Sequence, residues 1–332
     1  MNTFRINMPQ IAASIDRQAL SYYLHAFTHL KVAIVAGQPA PHKPILLIAI
    51  LEGIEKGEIT DNKIYITPEL VARFKDLWHQ LVHYPKFTAN FALPFFHLQG
   101  PNRKKAFWHL KTKPGREILL TSSASIKSFA HLKEVVDHAC FNDDLFELLL
   151  QRESRQKLKG ALFQRWFPNI HSVRTANGLY EVITAQVLDN TLSPLPSLLE
   201  VNDEEITYIR GSIFKKEVPR VYNYACGISG MRVIADRQLQ MIDACHIIPF
   251  AESGDDHISN GIALCPNLHR AFDRGLISID ANFKVIATSF TEAQADYLIR
   301  PFVGRRLLLP SDQKYWPAQS KLELHRQKFG FV

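Results

Sequence analysis

Apolar residues recur at three- and four-residue intervals from Asp16 to about Leu30, the spacing of one buried helix face. Pro44 then opens a run from Ile45 to Ile54 that is apolar on nearly every side and closes at Gly57. Such a helix is buried on most sides and predicts the spine of a domain. Lys63–Ile66 reads as a short strand. Thr67-Pro68-Glu69 places a capping hydroxyl before a proline at the first helical position, predicting a further helix to about Val82 that stops at Tyr84-Pro85. Two matched triplets, Phe96-His97-Leu98 and Trp108-His109-Leu110, flank the turn signal Gly100-Pro101-Asn102. They predict a β-hairpin or strand–loop–strand. Helical spacing returns over residues 143–167, with Gly160 as its weak point and Pro168 as its end.

The second half is punctuated differently. Residues 169–206 are of mixed polarity and contain the Pro-rich LSPLPSL, suited to an ordered linker. Met241–Ile248 reads as a strand, Gly261–Cys265 as a second, and a helix opens near Pro266 and stops at Gly275. An amphipathic helix near Gln319–Phe329 is expected to pack on this half, with His325 structural. The pattern predicts an α+β protein: a mixed helix/strand domain over 1–165, a linker over 166–206 and a second domain over 207–332.

Composition narrows the class. The 332 residues are 46% hydrophobic, enough for two ordinary cores. No apolar run approaches a membrane span and the first twenty residues carry no secretory pattern, so a soluble, cytoplasmic protein without a membrane partner is expected. The net charge of +7 is unevenly placed. Residues 1–165 hold 22 Lys+Arg against 14 Asp+Glu, a balance of +8, and the remainder holds 17 against 18, a balance of −1. A basic first half is the footprint of a nucleic-acid docking domain or simply of a solubilising surface. Six basic residues and no acid lie between Arg103 and Arg116, with Arg103, Lys104 and Lys105 at the expected hairpin tip. Cys140, Cys226, Cys245 and Cys265 form no Cys-x-x-Cys pair, so no structural zinc is expected and they read as small buried apolar residues.

The richest chemistry lies in Met241–Asp280, MIDACHIIPFAESGDDHISNGIALCPNLHRAFDRGLISID. His246 ends one strand, Asn260 follows 14 residues later before the next, and His269 follows 9 residues after that inside a helix. This segment resembles the ββα-metal nucleases of the HNH endonuclease family. The resemblance implies phosphodiester hydrolysis with one divalent metal, Mg2+ or Mn2+. His246 would be the general base, a role that suits an imidazole. His269 would hold the metal, which steadies the phosphorane and the leaving oxygen. Asn260 would orient the His246 ring, and Asp243, the one acid close upstream, is the further metal candidate. One common form of the motif has an acid directly before the first His; this chain has Cys245 there.

The first half resembles a second family. PHKPILLIAIL, a helix, HYP, ALPFFHL and AFWHL follow in the order of the sulfur-binding domain of phosphorothioate-dependent type IV restriction endonucleases, in which that domain precedes an HNH domain. The resemblance implies double-stranded DNA carrying a phosphorothioate as the partner. Tyr84 and Pro85 would wall an apolar pocket for sulfur, with Thr88 or Ala89 beside them. His42 and Lys43, at a helix start, and His97, Arg103, Lys104, Lys105 and His109 would contact phosphates and bases. An HNH nuclease reading methylated or unmodified DNA, and a non-cutting DNA-binding protein with a decayed HNH fold, are the alternatives. A single HNH site cuts one strand, so a double-strand break calls for a homodimer.

Overall fold

The computed structural model describes residues 8–98, 106–116, 128–170, 178–189, 204–233, 241–293 and 298–331. The chain divides into two compact units, Met1–Tyr180 and Glu181–Val332. The expected basic tip, Arg103, Lys104 and Lys105, and the LSPLPSL stretch lie outside the described residues. Among those described, no helix is long and apolar enough to cross a membrane.

The first unit is built on the apolar helix α2 (His42–Glu55), whose residues Pro44–Leu51 are all buried. Burial on every side follows from its composition, because no polar stripe is left to face water. It packs against α3 (Pro68–Leu81), α4 (Ala92–His97) and α7 (Arg152–Trp166). The expected cap on α3 is present: Thr67 Oγ1 accepts from the Leu70 N–H at 3.2 Å, with Pro68 as the first helical residue. An antiparallel sheet in the order β3 (Ile64–Tyr65), β5 (Val136–Phe141), β4 (Trp108–Thr112) lies beside the helices. Helices α1 (Met8–Thr28), α5 (Phe129–Val135) and α6 (Asp143–Leu150), with a two-stranded antiparallel hairpin of β1 (Ile34–Val35) and β2 (Gln38–Pro39), complete the unit.

Two expectations are corrected here. The hairpin between the matched triplets does not form. Phe96 and His97 belong to α4, because Phe91, Ala92, Phe95 and Phe96 repeat at helical spacing and are all buried. The partner of β4 is β5, in the register Trp108↔Phe141 and Leu110↔Ala139. The two segments still meet, since the Trp108 indole N–H donates at 2.8 Å to the carbonyl of Phe95, the residue before the first triplet. The second correction concerns the helix break, which falls at Gln151 with ψ 122° and not at Gly160. Arg155 donates to the carbonyls of Leu149 and Leu150 and so closes α6 from the next helix. Gly160 sits inside α7 with open space around it, at a cost of about 1 kcal/mol relative to alanine.

The second unit holds the motif. After α8 (Leu179–Leu188), helix α9 (Glu204–Val221) contributes Phe214 and Val218 to a core shared with the hairpin β6 (Asp243–His246) and β7 (Gly261–Leu264). A short helix α10 (Phe250–Ser253) lies in the connection between those strands. The register pairs His246 with Gly261 and Asp243 with Leu264. Helix α11 (Pro266–Asp273) starts on its proline and ends as expected. Gly275 takes φ +66°, its N–H donates to the Phe272 carbonyl, and the Leu276 N–H reaches back to Ala271. A second hairpin, β8 (Ile277–Ile279) and β9 (Val285–Ala287), and helix α12 (Gln319–Lys328) close the core. This mixture of helices and small antiparallel sheets is α+β.

Candidate active site

His246 is the last residue of β6, and two contacts fix its ring. One face stacks on Phe214 of α9, with centroids 3.9 Å apart and planes 8° from parallel. Its Nε2 lies 3.0 Å from Oδ1 of Asp256, which is 1% exposed. A carboxylate only accepts, so Nε2 carries the proton and Nδ1 of the neutral ring is left with its lone pair. Among the described residues Nδ1 has no protein partner, and the side chain is 21% exposed. That is the arrangement of a base aimed at solvent. Among the described residues the other, buried oxygen of Asp256 has no partner, so the carboxylate is committed to this histidine.

Among the described residues the Asn260 side chain forms no hydrogen bond to the His246 ring. Its Oδ1 accepts from the Ile248 N–H at 3.0 Å, and its Nδ2 donates to the carbonyls of Ile248 and Asp255, each at 2.9 Å. The side chain thereby ties the strand end just past His246 to the loop just before Asp256. Asp255 clamps the same loop through bonds from His257 and Lys321. Burial opposes its charge, but those bonds hold its carboxyl far below the usual carboxylate range.

Gly261 explains the close seat of Phe214. A Cβ there would lie 2.6 Å from Val218 Cγ2 and 2.9 Å from Phe214 Cζ. Gly261→Ala is expected to cost about 1–3 kcal/mol by overpacking and to push Phe214 off the His246 ring. Thermal unfolding measures the first effect and the cleavage rate of the refolded variant the second.

His269, on α11, faces carboxylates from both ring nitrogens. Its Nδ1 lies 3.1 Å from Asp243 Oδ2 on β6, and its Nε2 lies 3.3 Å from Asp273 Oδ2, one helical turn on. Cys245 Sγ, buried, sits 3.7 Å from Asp273 Oδ1. Burial, then the Asp273 charge, pushes the Cys245 thiol well above its usual range. Cys245, His269 and Asp273 bring one ligand atom each within 4.8 Å of one another, close enough to hold a metal ion. The donor set fits a divalent metal. A neutral His269 donates from one nitrogen only, so the other presents a lone pair to acceptors that a cation would draw together.

The HNH endonuclease family matches residues 226–280, the span of these strands and of α11. The chain carries an HNH endonuclease domain. No curated protein matches the chain. Among solved structures, a modification dependent TagI restriction endonuclease is similar at 22% identity and a TM-score of 0.27, over 35% of this chain. The similar region spans 36% of that enzyme's length.

In the HNH domain the β6–β7 hairpin thus carries both groups: His246 and Asn260 lie where its connecting loop begins and ends, and Asp243, at the other end of β6, meets His269 of α11. The structure adds Asp256, Asp273, Phe214 and the Cys245 thiol. Asp273 was open to sequence reasoning, being four residues after His269 and so on the same helix face. Asp256 lies in a loop where no periodicity points to it.

In the first unit, His42 and the Tyr84 region do come together. The His42 ring lies 4.5 Å from Trp78 and 6.1 Å from Phe87, and Tyr84 lies 5.4 Å from Phe87. His42 Nε2 bonds to the Thr88 carbonyl at 3.0 Å. Tyr84 and Phe87 are half-buried, while Pro85 and Thr88 are exposed. Burial lowers the His42 pKa, and burial together with Lys31 lowers that of Lys43 to about 8. The Lys43 ammonium donates to the Lys31 carbonyl at 2.8 Å. His97 ends α4, and His109 bonds to Asn142 Oδ1 at 2.7 Å, at the start of α6, rather than to the Tyr84 group.

Proposed function

We propose that the protein is a modification-dependent restriction endonuclease that binds phosphorothioated double-stranded DNA and hydrolyses a nearby phosphodiester. The observation that carries the nuclease chemistry is His246 paired with buried Asp256 on the strand whose Asp243 and Cys245 meet His269 and Asp273. His246 Nδ1 takes a proton from water as the water oxygen bonds to phosphorus, and the bond from phosphorus to the leaving oxygen breaks. Asp256 balances the imidazolium that results, and Phe214 holds the ring plane. Asn260 keeps the Asp256 loop in register with the strand end. His269 and Asp273, with Cys245 or Asp243, would hold a divalent ion, which supplies charge neutralisation at the phosphate and the leaving oxygen.

Support for the substrate comes from the first unit. Tyr84, Pro85 and Phe87 offer a part-exposed apolar surface beside His42 at the start of α2. A sulfur in place of a phosphate oxygen is softer and less hydrated, so it gains from apolar contact while the remaining charge meets His42 and Lys43. The basic excess of this half suits backbone contact. Two copies acting together would cut both strands.

Paired cleavage of one duplex with and without a single phosphorothioate, in Mn2+ or Mg2+, tests this reading. Cutting confined to the sulfur-bearing duplex is expected, with Tyr84→Ala abolishing the difference and the double-strand rate rising steeper than linearly with enzyme. Equal cutting of both duplexes, or cutting only of a methylated one, would discard the sulfur assignment and keep the nuclease.

A further inference from the structure

Cys245, His269 and Asp273 offer sulfur, nitrogen and oxygen to one point, and that mixture is unusual for a Mg2+ site. We propose that this site selects a transition-metal ion over Mg2+, with the Cys245 thiolate bound directly to the metal. The inference rests on the nuclease reading above and concerns which ion its site accepts.

The two elements supply the donors in complementary ways. Strand β6 delivers Cys245 beside the base His246, and helix α11 delivers His269 and Asp273 from successive turns of one face. Their ligand atoms already lie within 4.8 Å of one another, so a tetrahedral ion needs only small side-chain adjustments and keeps a fourth position for a water or phosphate oxygen. Asp243 stands outside this triangle. By accepting from Nδ1 of His269 it keeps Nε2 toward Asp273, which makes it a positioning residue for the ligand. Mg2+ demands near-octahedral oxygen ligation and gains little from a thiolate. Zn2+, Co2+ and Mn2+ accept imidazole and carboxylate, and the first two bind thiolate strongly. On binding, the Cys245 S–H bond breaks, its electron pair goes to the metal and its proton to solvent.

The test uses the full chain, stripped of metal and titrated with Co2+ without DNA. A thiolate-to-cobalt charge-transfer band in the near ultraviolet is expected to saturate at one equivalent. Cys245→Ser removes the band and Cys226→Ser keeps it. Asp243→Asn keeps the band but weakens binding by roughly 10–100-fold. Mg2+ in excess on the order of a hundredfold leaves it intact. Because Cys245 is buried, Asp273→Asn on the exposed side of the site serves as the second variant, and it is expected to weaken cobalt binding with the circular dichroism unchanged. Cobalt binding without the band, a band that survives Cys245→Ser, or displacement by Mg2+ at matched concentration would overturn the inference. Cleavage is scored separately. A cobalt band with no cutting of any DNA removes the nuclease reading, whereas Mg2+-supported cutting without a band removes only this one.

Discussion

Replacing His246 by alanine is expected to slow phosphodiester cleavage by a factor on the order of 10²–10⁴ while leaving DNA binding intact. The reasoning is geometric. Nδ1 is the ring atom without a protein partner among the described residues, whereas Nε2 is spent on Asp256. Loss of the ring removes the proton acceptor and nothing that holds DNA. Asp256→Asn separates positioning from packing. An asparagine can still bond to Nε2, so the ring stays, but the negative charge that balances the imidazolium is gone. A fall of about 10–100-fold is expected. Undiminished cutting by Asp256→Asn would reduce Asp256 to a packing role, and undiminished cutting by His246→Ala would end the general-base assignment. Single-turnover cleavage, with binding measured in parallel, reads both.

The second large effect is on stability in acid. His325 of α12 is 2% exposed and lies against Phe272 with centroids 3.8 Å apart. Its Nε2–H donates to the Phe272 carbonyl at 3.1 Å, so Nδ1 accepts from the Ser278 hydroxyl at 2.8 Å. Burial lowers its pKa from 6.5 to about 4, with Lys328 and Arg326 adding to the effect. The folded state therefore binds fewer protons than the unfolded chain between about pH 4 and about pH 6.5. The contribution is fully present above the higher value and is lost as pH falls toward the lower one. The whole window is worth about 3 kcal/mol. Urea unfolding of the full chain at about pH 7 and about pH 5 measures it. His325→Gln should flatten the dependence while lowering stability at neutral pH. A wild-type transition insensitive to pH across that window would contradict the assignment.

These two histidines show how far the chain could be read without its fold. His325 and His246 are chemically alike, and neither sits in an exposed loop. What separated them in the sequence was spacing: His246, Asn260 and His269 fall at intervals that a strand, a second strand and a helix impose, and Pro266 and Gly275 mark the bounds of that helix. The strand and helix periods and the end signals are local physics, so β6, β7, α2, α3, α11 and α12 were legible to within a few residues.

Non-local pairing was not legible. Trp108–Thr112 reads as a strand, but that its partner is Val136–Phe141 rather than Phe96–Leu98 depends on where α4 buries its phenylalanines. The same holds inside the site. The sequence determined which residues could do acid–base and metal chemistry, because their types and intervals follow from local structure. Only the tertiary structure decided that Asp256 backs His246, that Phe214 of a distant helix holds its ring, and that a buried cysteine thiol stands among the donors around His269. Those contacts join segments up to tens of residues apart, and the energy that selects them comes from packing and desolvation, which no interval along the chain encodes.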